Sequence, residues 1–150
     1  MRRAWLTCGF MLGLAVAVVA QGIGIISPGQ GIGPVRLGMD QAEITHALTQ
    51  TGPCTVDVLY ADGHAAHLKT SWGGCFMTAE GLQVGSPASH VVYRFGPPDD
   101  EEAEEQSTWL RYVGRGIAFL VVRDRSGDGV VIAIAIFPGL AGRLARLPMM

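Results

Sequence analysis

The 150-residue chain has a single lysine, Lys69, and its 11 basic residues do not outnumber its 13 acidic ones. A domain that grips nucleic acid needs a basic excess to neutralise phosphates, so nucleic acid is excluded as a partner. Charged residues make up only 16% of the chain and hydrophobic ones 49%. That balance excludes an intrinsically disordered chain, which needs low hydrophobicity and high net charge. Three cysteines are too few for a disulfide-dense miniprotein, and none stands in a Cys-x-x-Cys pair. A Gly-x-Ser-x-Gly nucleophile elbow is missing. So is a glycine loop placed between a strand and a helix to cradle phosphate. Catalysis is left without a motif, and no cofactor is implied.

The hydrophobic residues that are present are unevenly spread. Met1, Arg2 and Arg3 open the chain, and Ala4 to Val19 follow without a charge, ending at Val18, Val19 and Ala20. A basic start, an apolar stretch and a small residue read as a secretory signal peptide over residues 1–20, with Ala17 a second cleavage point. The competing reading is an uncleaved anchor, but a spanning helix wants about 20 apolar residues. Gly22, Gly24, Pro28 and Gly29 break any helix beyond Ala20. The expectation is a secreted or periplasmic protein without a stable membrane span after cleavage. Residues 21–30 read as a glycine-rich flexible linker, 31–137 as the folded domain, and 138–150 as a C-terminal tail.

The exported chain keeps Cys54 and Cys75, an even pair in an oxidising compartment, which favours a disulfide. Closing that loop is worth about 3 kcal/mol by chain entropy. The rival roles, nucleophile or metal ligand, lack a supporting local context.

Two segments share a pattern. Gly31 to Leu37 leads into Gly38-Met39-Asp40-Gln41-Ala42-Glu43-Ile44 and on to Gly52-Pro53; Gly81 to Gly85 leads into Ser86-Pro87 and on to Gly96-Pro97. Asp40 with Glu43 makes a capping box, and Met39 with Ile44 a hydrophobic staple. Ser86 before Pro87 reads as an N-cap with proline at the first helical position. Gly52 and Gly96 read as helix ends. Strands are expected over Cys54 to Tyr60 and His64 to Thr70 around an Asp62-Gly63 turn, with a short one at Cys75 to Thr78. A meander follows over Ser107 to Val113, Ile117 to Arg123 and Val130 to Phe137. The fold class is α+β, with two tandem repeats of a short helix followed by an antiparallel meander and the helices on one face.

The Gly-Met-Asp-x-Ala-Glu-Ile start, the terminal Gly-Pro and the meander resemble the tandem repeat of secreted β-lactamase-inhibitor proteins. They are similar, too, to the helix-plus-meander domain of the small lipoprotein of the outer-membrane barrel-assembly machinery. The resemblance covers residues 31–137 and implies protein binding without catalysis. The second copy departs from it, with Pro87 in place of Asp40 and His90 in place of Glu43.

Period-two alternation puts Ile132, Ile134 and Ile136 on the core side of the last strand and Ala133 and Ala135 on a flat, thinly covered side. That side either docks a partner or lies beneath a loop or the tail. Trp72 and Trp109 are either core residues or binding hot spots. Asp99, Asp100, Glu101, Glu102, Glu104 and Glu105 put six acids into seven residues. They read as a solvated loop, or as a site for calcium or a basic partner. Asp124 to Gly129 opens like a calcium loop, but Ala135 stands where a bidentate glutamate is required, so a hairpin turn is expected. His64 and His67 fall on opposite strand faces and read as surface residues. In the tail, Leu140, Leu144 and Leu147 with Arg143 and Arg146 suggest a short basic amphipathic turn. The functional expectation is an exported, non-catalytic module that binds a protein of the envelope or exterior through its sheet face and loops. The alternative is a secreted calcium- or small-ligand-binding protein using residues 99–105. No metal site is assigned.

Overall fold

Alternating side chains in the C-terminal third build most of a six-stranded sheet. The computed structural model describes residues 24–140. In chain order its elements are β1 (Gly24–Ser27), β2 (Gly31–Ile32), β3 (Val35–Arg36), α1 (Gln41–Leu48), β4 (Asp57–Ala61), β5 (His64–Thr70) and β6 (Phe76–Thr78). They continue with α2 (Ala88–Phe95), β7 (Asp100–Ala103), β8 (Ser107–Tyr112), β9 (Ile117–Arg123) and β10 (Gly129–Ile136). The class is α+β with mostly antiparallel sheets. The large sheet runs β4-β5-β10-β9-β8-β7 and the small one β3-β2-β1-β6.

One face of the large sheet forms the core. Val131, Ile134 and Ile136 of β10 face Val121, Phe119 and Ile117 of β9, and all six are buried. Val91 and Phe95 of α2, Ile44 and Ala47 of α1, and Ile26 and Ile32 of the small sheet join them in a single cluster. Both helices are short and are held chiefly by this packing. Phe95, Tyr112 and Phe119 meet edge-on or tilted, with centroids 5.3 to 6.1 Å apart. Tyr112 donates its hydroxyl to the Gly96 carbonyl at 2.8 Å, pinning the end of α2 to β8. Burial raises its pKa above the ordinary phenol value; the Arg115 charge opposes this, while Asp99 and Glu101 add to it.

The helix starts differ in mechanism. Asp40 and Glu43 close a reciprocal capping box on α1, both bonds at 2.9 Å. For α2 the expected Ser86 cap is corrected: Pro87 is the N-cap, and the Ser86 hydroxyl instead accepts from the Gln83 amide. Asp128, from the turn between β9 and β10, supplies the missing acceptor to Ser89 N and the Ser89 hydroxyl. Hydrogen bonds from the Gly129 backbone and from Ser89 lower the Asp128 pKa. α2 ends on Gly96 as read, whereas α1 ends at Thr49, ahead of Gly52. Asp62 and Gly63 both take positive φ, the geometry of the expected hairpin turn.

Three further expectations are corrected. The described part of the supposed linker, from Gly24 on, is packed, since β1 pairs with β2 and β6. A side chain at Gly24 or Gly33 would meet the Phe76 ring at 2.8 Å, so these glycines permit close approach. The acidic loop is in part an edge strand, with Asp100–Ala103 forming β7 against β8. Ile132 is the extra residue of a β-bulge and is 40% exposed, so Val131 takes its place in the core.

Cys54 and Cys75 form a disulfide, linking the segment after α1 to the start of β6. Among the described residues, no helix is long and apolar enough to cross a membrane. The expected signal peptide and most of the tail lie outside the described residues.

Candidate functional site

The second face of the large sheet is built from the alternate residues of the same strands. The register aligns Asp57, Lys69, Ala135, Ala118, Arg111 and Asp100 in one row across all six strands. Two alanines form its floor, a cation flanks each side, and an acid closes each edge. Lys69 pairs with Asp57 at 3.9 Å; Arg111 pairs with Asp100 at 3.5 Å and also with Glu102. A second row places Ala133, Leu120, Trp109 and Glu102 alongside.

Small side chains between large ones leave a trough. One hollow of about 330 Å³ is lined by His67, Trp109, Arg111, Val113, Ala135 and Phe137, with Ala118 at its base. An adjoining one of about 270 Å³ extends to Leu59 and Asp57 and shares His67, Trp109 and Ala135. His67 stacks on Phe137 with centroids 6.0 Å apart, making one wall. Trp109, half-buried, makes the other. Leu59, at the rim, is 64% exposed.

The residues anticipated for partner binding are thus divided. Trp109, Ala133 and Ala135 share this face, and Asp100 and Glu102 reach it through Arg111. Asp99 caps the β8–β9 corner by accepting from Gly114 N at 3.4 Å. Glu101 alternates away from Asp100 and Glu102 along β7, and Glu104 accepts from the Ser107 hydroxyl. Glu105 is exposed beyond the strand, and Trp72, 48% exposed, lies outside both hollows. Arg111, Phe137 and Leu59 were not singled out in the sequence, and His67 was read only as a surface residue. Counting by twos from Ala135 through paired strands would have found them, but that requires the strand order.

Chemically the trough offers dispersion contact, two cation–carboxylate rims and an imidazole. Among the described residues, no three His, Cys, Asp or Glu side chains converge to hold a metal. Asp124, in the turn resembling a calcium loop, accepts from Ser126 N within its own turn. Comparison of the chain with protein-family models, curated proteins and solved structures returned no match.

Proposed function

We propose that the protein is an exported, non-catalytic module that binds another protein of the envelope or exterior in the trough of its large sheet. The alanine floor between Trp109 and the His67–Phe137 wall carries this reading. Apolar hollows with an aromatic wall and charged rims suit a partner's side chains. Export is supported by the basic and apolar start of the chain and by the Cys54–Cys75 disulfide. The recurrence of a helix followed by antiparallel strands supports the tandem-repeat relationship, with a hairpin after α1 and four strands after α2.

A calcium-binding role for residues 99–105 is less well supported. Strand β7 sends successive carboxylates to opposite sides and engages two of them with Arg111, whereas calcium needs several oxygens converging on one point. In-cell crosslinking of the tagged chain, with mass spectrometry of what is captured, tests the proposal. Wild type should return a reproducible partner that Trp109→Ala loses while staying folded; equal capture by both would remove the trough from the account.

A further inference from the structure

The large sheet ends on two edges of different character, β4 and β7. On β7, Asp100, Glu101 and Glu102 stand in succession, so the edge carries the charge that usually keeps a further strand away. On β4 the one charged residue is Asp57 at the strand's start, and Lys69 already pairs with it. Leu59 and Tyr60 are 64% and 38% exposed there. Among the described residues, the backbone of β4 has no hydrogen-bond partner beyond β5. This edge is apolar and unguarded.

The hydrogen-bond alternation decides which of its groups are free. Ala65 of β5 donates to the Met39 carbonyl and accepts from the Gly38 amide, both at 2.8 Å, so its backbone faces away from β4. Tyr60 lies opposite Ala65, and in an antiparallel pair of that kind both residues turn their amide and carbonyl outward. Val58 does the same, because it is two residues back and the extra residue at the register shift, Ala66, belongs to β5. Val58 and Tyr60 therefore each offer a donor and an acceptor to whatever lies alongside.

We propose that β4 pairs antiparallel with β4 of a second copy, about a two-fold axis at Leu59, joining two six-stranded sheets into one. Val58 then stands opposite Tyr60 of the other copy, and each such pair exchanges two hydrogen bonds, so every free group of both residues is used. Leu59 meets its counterpart on the trough side, and Asp57 falls opposite Ala61. No like charges meet. The other edge pairings fail: β7 beside β7 sets carboxylates against carboxylates, and β4 beside β7 repeats from copy to copy without closing. A foreign strand is the competing occupant, but the register of β4 on itself already satisfies the edge. With five residues a side, against about 20–30 in a standard interface, the pairing is reversible and grows with concentration. It does not depend on a partner binding in the trough.

Sedimentation of the purified chain from low micromolar to millimolar concentration tests this, together with hydrogen exchange of the β4 amides. The mass should rise from one chain to two and stop there. The Val58 and Tyr60 amides should exchange about tenfold more slowly in the concentrated sample, whereas those of Asp57 and Leu59, which face β5, should not change. Leu59→Lys, which sets two cations together at the axis, should stay at one chain mass; Tyr93→Lys, on α2, should dimerise like wild type. A photo-crosslinking residue at position 59 should give a self-adduct of twice the chain mass that survives Trp109→Ala, unlike an adduct with a partner. The exchange measurement uses wild type alone, so it decides the matter whether or not a variant folds. A wild-type mass of one chain throughout, with Val58 and Tyr60 exchanging equally at both ends of the range, would overturn the proposal. So would a dimer that Leu59→Lys leaves intact, or growth beyond two chains.

Discussion

Two neighbouring rows of the large sheet, one residue apart along every strand, have opposite characters. Val58, Leu68, Ile136, Ile117 and Tyr112 form one; Asp57, Lys69, Ala135, Ala118 and Arg111 form the other. Leu68, Ile136 and Ile117 are fully buried against helices and the small sheet. The second row meets no other layer among the described residues. Its central side chains are alanines, and its outer ones are charged and mutually paired. The first row holds the fold together. The second leaves space, and space lined by an aromatic wall is what a binding surface needs.

That contrast predicts graded consequences. Phe119→Ala, on the core face, should cost about 3–5 kcal/mol, measured by denaturant unfolding. Replacing Cys54 and Cys75 by alanine should cost about 3 kcal/mol, and wild type should lose a similar amount under reductant. Trp109→Ala, on the open face, should cost only about 1 kcal/mol, because its side chain stays half in water when folded. A loss as large as that of Phe119→Ala would break the distinction between the faces.

The smallest effect sharpens the same comparison at the rim of the core. Asp128 has a lowered folded pKa, so it contributes stability above its unfolded value near 3.8, and that contribution is lost as pH falls through the folded value. Asp128→Asn should be slightly less stable than wild type at neutral pH. The gap should close in acid, as followed by thermal melts across that range.

Much of this was legible in the residues, and the failures have physical causes. The α1 capping box is local, so Asp40 and Glu43 revealed it. Strands β5 and β9 match the expected ranges residue for residue, although the register of β5 against β4 shifts at Ala66. The bulge at Ile132 was hidden, because a pure period of two cannot signal an inserted residue. Strand β7 was hidden because self-repulsion argues for a loop until Arg111 is placed across from Asp100 and Glu102. The glycines near the start looked flexible, since the Phe76 ring that they admit lies more than 40 residues away. For the site, Trp109 and Ala135 were anticipated, whereas His67 needed the pairing of β5 with β10 to bring it beside them.

The central claim is that the open face, and not merely any exposed apolar residue, meets the partner. Leu59 at the trough and Tyr93 on α2 are both exposed large side chains, 64% and 83% respectively. A photo-crosslinking residue placed at each in turn, in the full chain expressed in its own cells, compares the two surfaces directly. The account predicts a reproducible adduct from position 59, abolished by Trp109→Ala, and none from position 93. Equal adducts from both positions, or an adduct from 93 alone, would contradict it.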